Sequence, residues 1–168
     1  MSLAGPFGKI RLGRDYVPAF WNTAIYDPFG TGGGIGANQL YFSGLGGLTA
    51  PTGTRASNSV GYLLPSGLGG FYGQVMYAMG ENESTSVLPG TLVSNKRDGN
   101  HAGLRLGYAD GGFNIALATG KTRYASGDLR VTNLGASYTF GPSLMNFKLT
   151  GELLSLIHIS EPTRLGMI

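Results

Sequence analysis

The arginines and aspartates of this chain are the residues whose types and spacing could do chemistry. Arg11, Arg14 and Asp15 stand close together, and Arg55 follows at the far end of a glycine-rich segment, residues 16–54. Guanidinium and carboxylate groups beside a narrow aqueous passage bias the passage of ions by the sign of their charge. Connections between elements are usually about 4–6 residues long, so this spacing predicts a long functional loop folded into a passage.

The sequence outside this loop alternates between apolar and polar residues, which is typical of strands whose two faces meet different solvents. On the polar parity, Arg105 and Lys148 share a face with Arg11 and Arg55, whereas the loop contributes Asp15 and Asp27. The alternation predicts a curved antiparallel meander of seven strands, near residues 9–15, 55–64, 71–80, 101–108, 113–118, 133–140 and 146–154. Its convex face should carry Val60, Tyr62, Ile115, Leu117 and Tyr138, and its concave face Arg55, Gln74, Arg105 and Lys148.

The connections between these strands alternate in length. Short turns at residues 65–70, 109–112 and 141–144 alternate with longer segments at residues 16–54, 81–100 and 120–128. Tyrosine and phenylalanine stand near the strand ends, as in the aromatic belts at membrane surfaces. Together these features predict an all-β protein, a transmembrane antiparallel β-barrel.

Composition agrees with such a barrel and argues against other classes. Only 12% of the residues are charged and 42% are hydrophobic, yet the mean hydropathy is +0.04, because apolar and polar strand positions average out. No apolar run approaches the roughly 18 residues of a membrane helix. The net charge of +3 comes from basic residues scattered singly, which does not indicate a nucleic-acid partner.

The remaining residue types exclude most catalytic chemistry. The sequence has no cysteine and two histidines, His101 and His158, so thiolate chemistry and a histidine-based triad or metal cluster are not available. Glu81 and Glu83 lie in a polar segment without the apolar pocket that would divide them into an acid and a base. The glycine-rich run 32–37 lacks the flanking strand and helix of a dinucleotide site. We therefore expect no enzyme, no cofactor and no metal.

Four motifs carry a family resemblance. They are FGKIRLGRDYVP at residues 7–18, RASNSVGY at 55–62, GGFYG at 69–73 and NLGASYTFG at 133–141. In this order they resemble the general porins of Gram-negative bacteria, most closely the betaproteobacterial type, over residues 3–154. The resemblance implies a trimeric, sixteen-stranded outer-membrane barrel, of which this chain covers an internal part, about seven strands.

The resemblance also implies a function and roles for particular residues. Residues 16–54 match the external loop that folds inward to narrow the channel, and Arg55 matches a wall arginine that faces this loop. Arg11 and Arg14 match the strand leading into the loop, with the orientation of Arg14 left open. The implied function is passive diffusion of small solutes and ions through a channel in outer-membrane lipid. Because basic residues exceed acidic ones on the polar parity, we expect a preference for anions, with Arg55 contributing most.

Two further expectations concern the class of protein and its ends. A soluble β-sandwich is the alternative, in which the apolar faces form an interior and residues 16–54 and 81–100 bind a ligand. Residues 1–154 are expected to form the barrel segment. Residues 155–168 lack the alternation of glycine and aromatic residues seen in the strands. They resemble translated sequencing-adapter read-through, so they are expected to be a non-native tail.

Overall fold

The computed structural model describes residues 1–29, 31, 36, 53–80, 85–88, 91–94, 99–124, 127–142 and 146–159. Most of the predicted loop interior, Glu81, Glu83 and the end of the tail lie outside these residues. The strands are Ser2–Gly5 (β1), Gly8–Tyr16 (β2), Arg55–Leu63 (β3), Phe71–Ala78 (β4), Thr85–Leu88 (β5), Thr91–Ser94 (β6), His101–Asp110 (β7), Phe113–Tyr124 (β8), Gly127–Thr139 (β9) and Lys148–Ile159 (β10). The helix is Pro18–Tyr26 (α1).

Eight of these strands form one sheet in the order β1-β2-β3-β4-β7-β8-β9-β10. Every neighbouring pair is antiparallel, so the chain runs as an up-and-down meander and the all-β prediction is confirmed. Among the described residues, no helix is long and apolar enough to cross a membrane.

The structure departs from the predicted strands in four places. A short first strand, β1, pairs with β2, and a separate hairpin, β5–β6, lies within the expected polar segment 81–100. The expected loop at residues 120–128 is mostly strand, because β8 and β9 pair as far as Tyr124 and Gly127. Strand β10 pairs through Ile159, so the sheet extends into the expected tail, whose non-native origin stays a prediction.

The two faces of the sheet differ as predicted along most strands. In β4, Phe71, Val75 and Tyr77 are about half exposed, whereas Gln74 and Met76 are buried on the opposite face. We call the first the outward face and the second the inward face. The other exposed apolar side chains of the sheet include Val60, Leu104, Leu106, Phe113, Leu117, Leu134, Tyr138, Leu149 and Leu153. A soluble β-sandwich would bury these side chains under a second layer, so the structure does not favour that alternative.

The alternation between the two faces fails in β3, at a position between Arg55 and Val60. The register between β3 and β2 shifts opposite residues 13–15, beside Asn58, whose φ of 52° is in the left-handed region. An extra residue on one strand of a pair in this way is a β-bulge. Ala56 is buried in a cluster with Phe20 of α1, so the backbone of Arg55 takes the same parity as Val60, and the predicted unbroken alternation between these two residues is wrong. The Arg55 side chain nevertheless lies over the ring of Tyr16, which stacks on Phe20.

Candidate functional site

Helix α1 is the element that distinguishes the inward face from a plain barrel wall. Pro18 occupies its first turn, where a missing N–H is tolerated, and the chain leaves the helix at Asp27, whose N–H donates to the Thr23 carbonyl at 2.9 Å. Pro28 follows and cannot continue the helix. Pro18 and Pro28 were visible in the sequence, but the sequence prediction places all of residues 16–54 in one long loop and does not include this helix.

Small residues on the inward face make room for the helix. Across β7, β8 and β9 one inward row reads Gly107, Ala116 and Gly135. A Cβ added at Gly135 would lie 2.0 Å from Cδ2 of Tyr26. The backbone of β9 and the ring of Tyr26 can therefore approach this closely only because no side chain stands between them.

Polar side chains fasten the helix to the wall. Asn22 is fully buried, and its Nδ2 donates to the Ala116 carbonyl at 2.9 Å and to Asn133 Oδ1 at 3.2 Å. Asn133 in turn donates from Nδ2 to the Ala19 carbonyl at 2.9 Å and to Glu152 Oε1 at 2.9 Å. Buried amides are stable only when they are paired, so these contacts fix both the position and the rotation of α1.

Glu152 and Thr23 complete this network, which we call the helix clamp: Asn22, Thr23, Asn133 and Glu152. The Thr23 hydroxyl donates to Glu152 Oε1 at 2.8 Å, and Asn133 Nδ2 also lies 3.0 Å from Thr23 Oγ1. A partly buried carboxylate between two donors is much better stabilised than one facing apolar atoms. The clamp thus joins the middle of α1 to β9 and β10.

Arg105 holds the neighbouring part of the helix. Its Nε donates to Asn22 Oδ1 at 3.0 Å, and its guanidinium carbon lies 4.8 Å from the centre of the Tyr72 ring. The Tyr26 and Tyr72 hydroxyls both donate to Asn114 Oδ1. Burial, with Tyr72 beside it, raises the pKa of Tyr26 above the ordinary value of a phenol, so its hydroxyl keeps its proton and remains a donor over a wider range of pH than an exposed tyrosine.

Apolar contacts support the two sides of the helix. Phe20 packs with Ala56 and Met76 in one buried cluster. Ala19 packs with Ala118 and Leu129 in another. Side chains from β3, β4, β8 and β9 therefore bracket α1, and the helix is fixed by packing as well as by hydrogen bonds.

The predicted site residues are distributed around this helix and do not all point the same way. Arg11 and Asp15 lie on the inward parity of β2 and form an ion pair, with Arg11 Nη1 3.1 Å from Asp15 Oδ2. Arg14 is exposed and shares the parity of Leu12, an exposed outward residue. Arg55 is exposed, donates to the Tyr16 hydroxyl and lies 4.4 Å from the centre of that ring.

The other three predicted residues occupy separate positions. Arg105 is 9% exposed and is packed behind α1. Asp27 ends the helix and accepts a hydrogen bond from the Phe29 N–H at 2.9 Å. Lys148 is exposed and pairs with Thr139 on the inward face, at the short-turn end of the sheet.

The sequence prediction missed the residues of the helix clamp. Asn133 and Glu152 fell on the polar parity of their strands, which indicated only a wet face. Asn22 and Thr23 lay in the segment expected to be a long loop, residues 16–54. The one signal that could have found them was the polar pair within a helix bounded by Pro18 and Asp27, because buried polar residues of a helix need partners on the surface that covers it.

These features define a class of protein. An antiparallel meander with an apolar outward face, and with a helix clamped to its polar and small-residue inward face, is a segment of a transmembrane β-barrel. The chain belongs to the Gram-negative porin family, which it matches over residues 1–152. The predicted family, fold class and outer-membrane location are thereby confirmed.

Two relatives illustrate the likeness. The chain is 33% identical over 158 residues to the outer membrane porin protein 32 of Delftia acidovorans, covering 91% of this chain and 41% of that protein. It is also similar to the solved anion-selective porin from Comamonas acidovorans, with a TM-score of 0.61 and 28% identity over 94% of this chain and 46% of that one. The chain spans less than half the length of both relatives.

Proposed function

We propose that this chain forms part of the wall of a passive diffusion channel for small hydrophilic solutes and ions across the outer membrane. The proposal rests on one observation: hydrogen bonds of Asn22 and Asn133 hold α1 against the inward face of the sheet. A helix fixed there narrows the lumen of a barrel without closing it, and a polar constriction selects solutes by size and charge.

We propose further that the channel favours anions. Lys9, Arg11, Arg105 and Lys148 lie on the inward parity, together with Asp15 and Glu152. Arg11 is paired with Asp15 and Glu152 is held in the helix clamp, so Lys9 and Lys148 supply much of the excess positive charge. The relative from Comamonas acidovorans is described as anion-selective, which supports the same sign here.

The test is the zero-current potential of the full-length channel in a planar bilayer with a gradient of potassium chloride. The parent channel should show a potential of the sign expected for chloride. Replacing both Lys9 and Lys148 by glutamate should move it toward the potential expected for potassium, because each change reverses one inward charge. The shift in the zero-current potential should be larger near 0.1 M salt, where the Debye length is about 10 Å, than near 1 M, where it is about 3 Å.

Arg55→Glu is the matched comparison. The sequence prediction gives Arg55 the largest effect, whereas the bulge at Asn58 changes its backbone parity and its guanidinium group is engaged with Tyr16. We expect Arg55→Glu to change the potential less than either single replacement, Lys9→Glu or Lys148→Glu, each of which also reverses one charge. A cation-selective parent channel, or a double variant with an unchanged potential, would refute the proposed anion preference.

We also propose that the intact protein is a homotrimer, as the resemblance to general porins implies. The exposed apolar side chains of the outward face, such as Leu106 and Leu117, can be covered by lipid or by a neighbouring subunit. Light scattering of the full-length protein in detergent, corrected for bound detergent, should give three times the mass of one chain. A monomeric mass under conditions that preserve channel activity would exclude the trimer as the active form.

A further inference from the structure

His101 begins β7 beside the first turn of α1. Its side chain is 3% exposed and lies on the inward face, opposite Thr122 of β8. A Cβ built at Gly103 would lie 2.9 Å from His101 Nε2 and 2.8 Å from Cδ of Pro18. The imidazole and the pyrrolidine ring of Pro18 therefore lie side by side over one glycine, and the histidine packs against the start of the helix.

The two ring nitrogens of His101 have different surroundings. Nδ1 lies 2.9 Å from Thr122 Oγ1, whereas Nε2 is buried and has no hydrogen-bond partner in the part of the chain that the structure describes. A proton on Nε2 would bury an N–H without an acceptor, which is costly. The geometry therefore assigns the single proton of the neutral ring to Nδ1, which donates it to Thr122, and leaves Nε2 as a lone pair.

A second proton would charge the ring where nothing nearby compensates the charge. The N-terminus of a helix carries about half a positive charge, and Pro18 is the first residue of α1, which has no charged side chain. The facing residues of β4 and β8 are also uncharged: Met76, Ala78, Gly120 and Thr122. On the inward row of β7 the charged neighbour is Arg105, which is positive. The charged residues of the adjoining outward rows are Lys121, Arg123, Asp128 and Arg130, and Asp128 is paired with Lys121.

We propose that His101 is a positioning residue of the constriction: its neutral ring holds the first turn of α1 against the wall, and a proton on Nε2 releases that turn. The inference rests on the proposed function, in which α1 sets the width of the channel. The helix clamp holds the middle of α1 to β9 and β10. The expected motion is therefore a tilt of the N-terminal end of the helix, which makes the width of the passage sensitive to acid.

The test follows the fluorescence of Trp21, which lies in α1 with its ring centre 5.3 Å from that of Tyr16. In the full-length channel, the emission of Trp21 is the difference between the parent and Trp21→Phe. The titration runs from about pH 7.5 to about pH 3, a range that includes the ordinary imidazole pKa of about 6.5. Acid should shift this emission to longer wavelength and increase its quenching by acrylamide. Single-channel conductance in planar bilayers should rise over the same range, and both changes should reverse at neutral pH.

Three variants separate the charge of the ring from other effects of acid. His101→Asn can still donate to Thr122 but cannot be charged, so it should lose the acid response. His101→Lys carries a charge at neutral pH and should show the acid-shifted emission there. Glu152→Gln is the matched control, because it removes a carboxylate that also takes up a proton in acid and contacts Thr23 of the helix; it should keep the acid response.

Two results would overturn the proposal. One is a folded His101→Asn channel that responds to acid as the parent does. The other is a response that disappears in Glu152→Gln and persists in His101→Asn. Absence of conductance at every pH would instead contradict the proposed function, because the emission of Trp21 reports the position of α1 without any ion flow.

Discussion

Adding a single methyl group at Gly135 should loosen helix α1 from the barrel wall and raise the single-channel conductance of the full-length protein. The new Cβ would lie 2.0 Å from Cδ2 of Tyr26, and the ring cannot yield because Tyr26 is 1% exposed and its hydroxyl is bonded to Asn114. Either the helix or β9 must move. Overpacking of this kind typically costs about 1–3 kcal/mol in the free energy of unfolding.

The control for Gly135→Ala lies on the neighbouring strand. Gly151 is exposed, and nothing lies within 4 Å of a Cβ added there. Gly151→Ala should leave conductance unchanged and should alter stability little. The measurements are conductance histograms in planar bilayers and urea unfolding in lipid vesicles; equal conductance and stability for both alanine variants would show that α1 does not depend on this close approach.

Removing the amide of Asn133 should have the largest effect on stability. Asn133→Leu removes one hydrogen-bond partner from each of three groups: the Ala19 carbonyl, Glu152 and Asn22. An unpaired buried group costs about 1–3 kcal/mol, and more when it is charged, so we expect a loss of about 3 kcal/mol or more in the free energy of unfolding. The helix should also become more accessible to protease.

The adjacent outward residue supplies a matched control. Thr132→Val removes one hydrogen bond, that with Thr119, on the outward face, and should cost much less. Combining Asn133→Leu with Glu152→Leu tests the clamp directly. The combined loss should be smaller than the sum of the separate losses, since coupled neighbours deviate by about 0.5–3 kcal/mol; strict additivity would mean that the two side chains do not act together.

The strands could be predicted from the sequence because their pattern is local. In β4 the alternation assigned Phe71 and Val75 to one face and Gln74 to the other, and the structure agrees. In β3 the same reasoning failed at Asn58, because a bulge adds one residue to this strand. The residues of β3 that precede the bulge are therefore shifted by one position in the alternation between the two faces. Nothing in the alternation itself marks which asparagine will adopt a positive φ.

The helix clamp could not be predicted, for a different reason. Asn22 and Asn133 are 111 residues apart, and their contact depends on how the meander curves and where the loop turns inward. The types of these residues indicated polarity but not a partner. Arg105 shows the same limit: its inward parity was predicted, yet its contact with Asn22, which makes it a support for the helix, follows only from the three-dimensional arrangement.

The long sequence separation of the clamp has a consequence for the order of folding. Helix α1 precedes β8 and β9 along the chain, yet its anchoring contacts join residues 94 and 114 positions apart. Contacts between residues far apart in sequence form late, because the entropy cost of closing a long loop must be met before the contact can stabilise the chain. The strands β7 to β10, whose successive members are close in sequence, should therefore assemble first, and the helix should dock afterwards on a wall that has already formed.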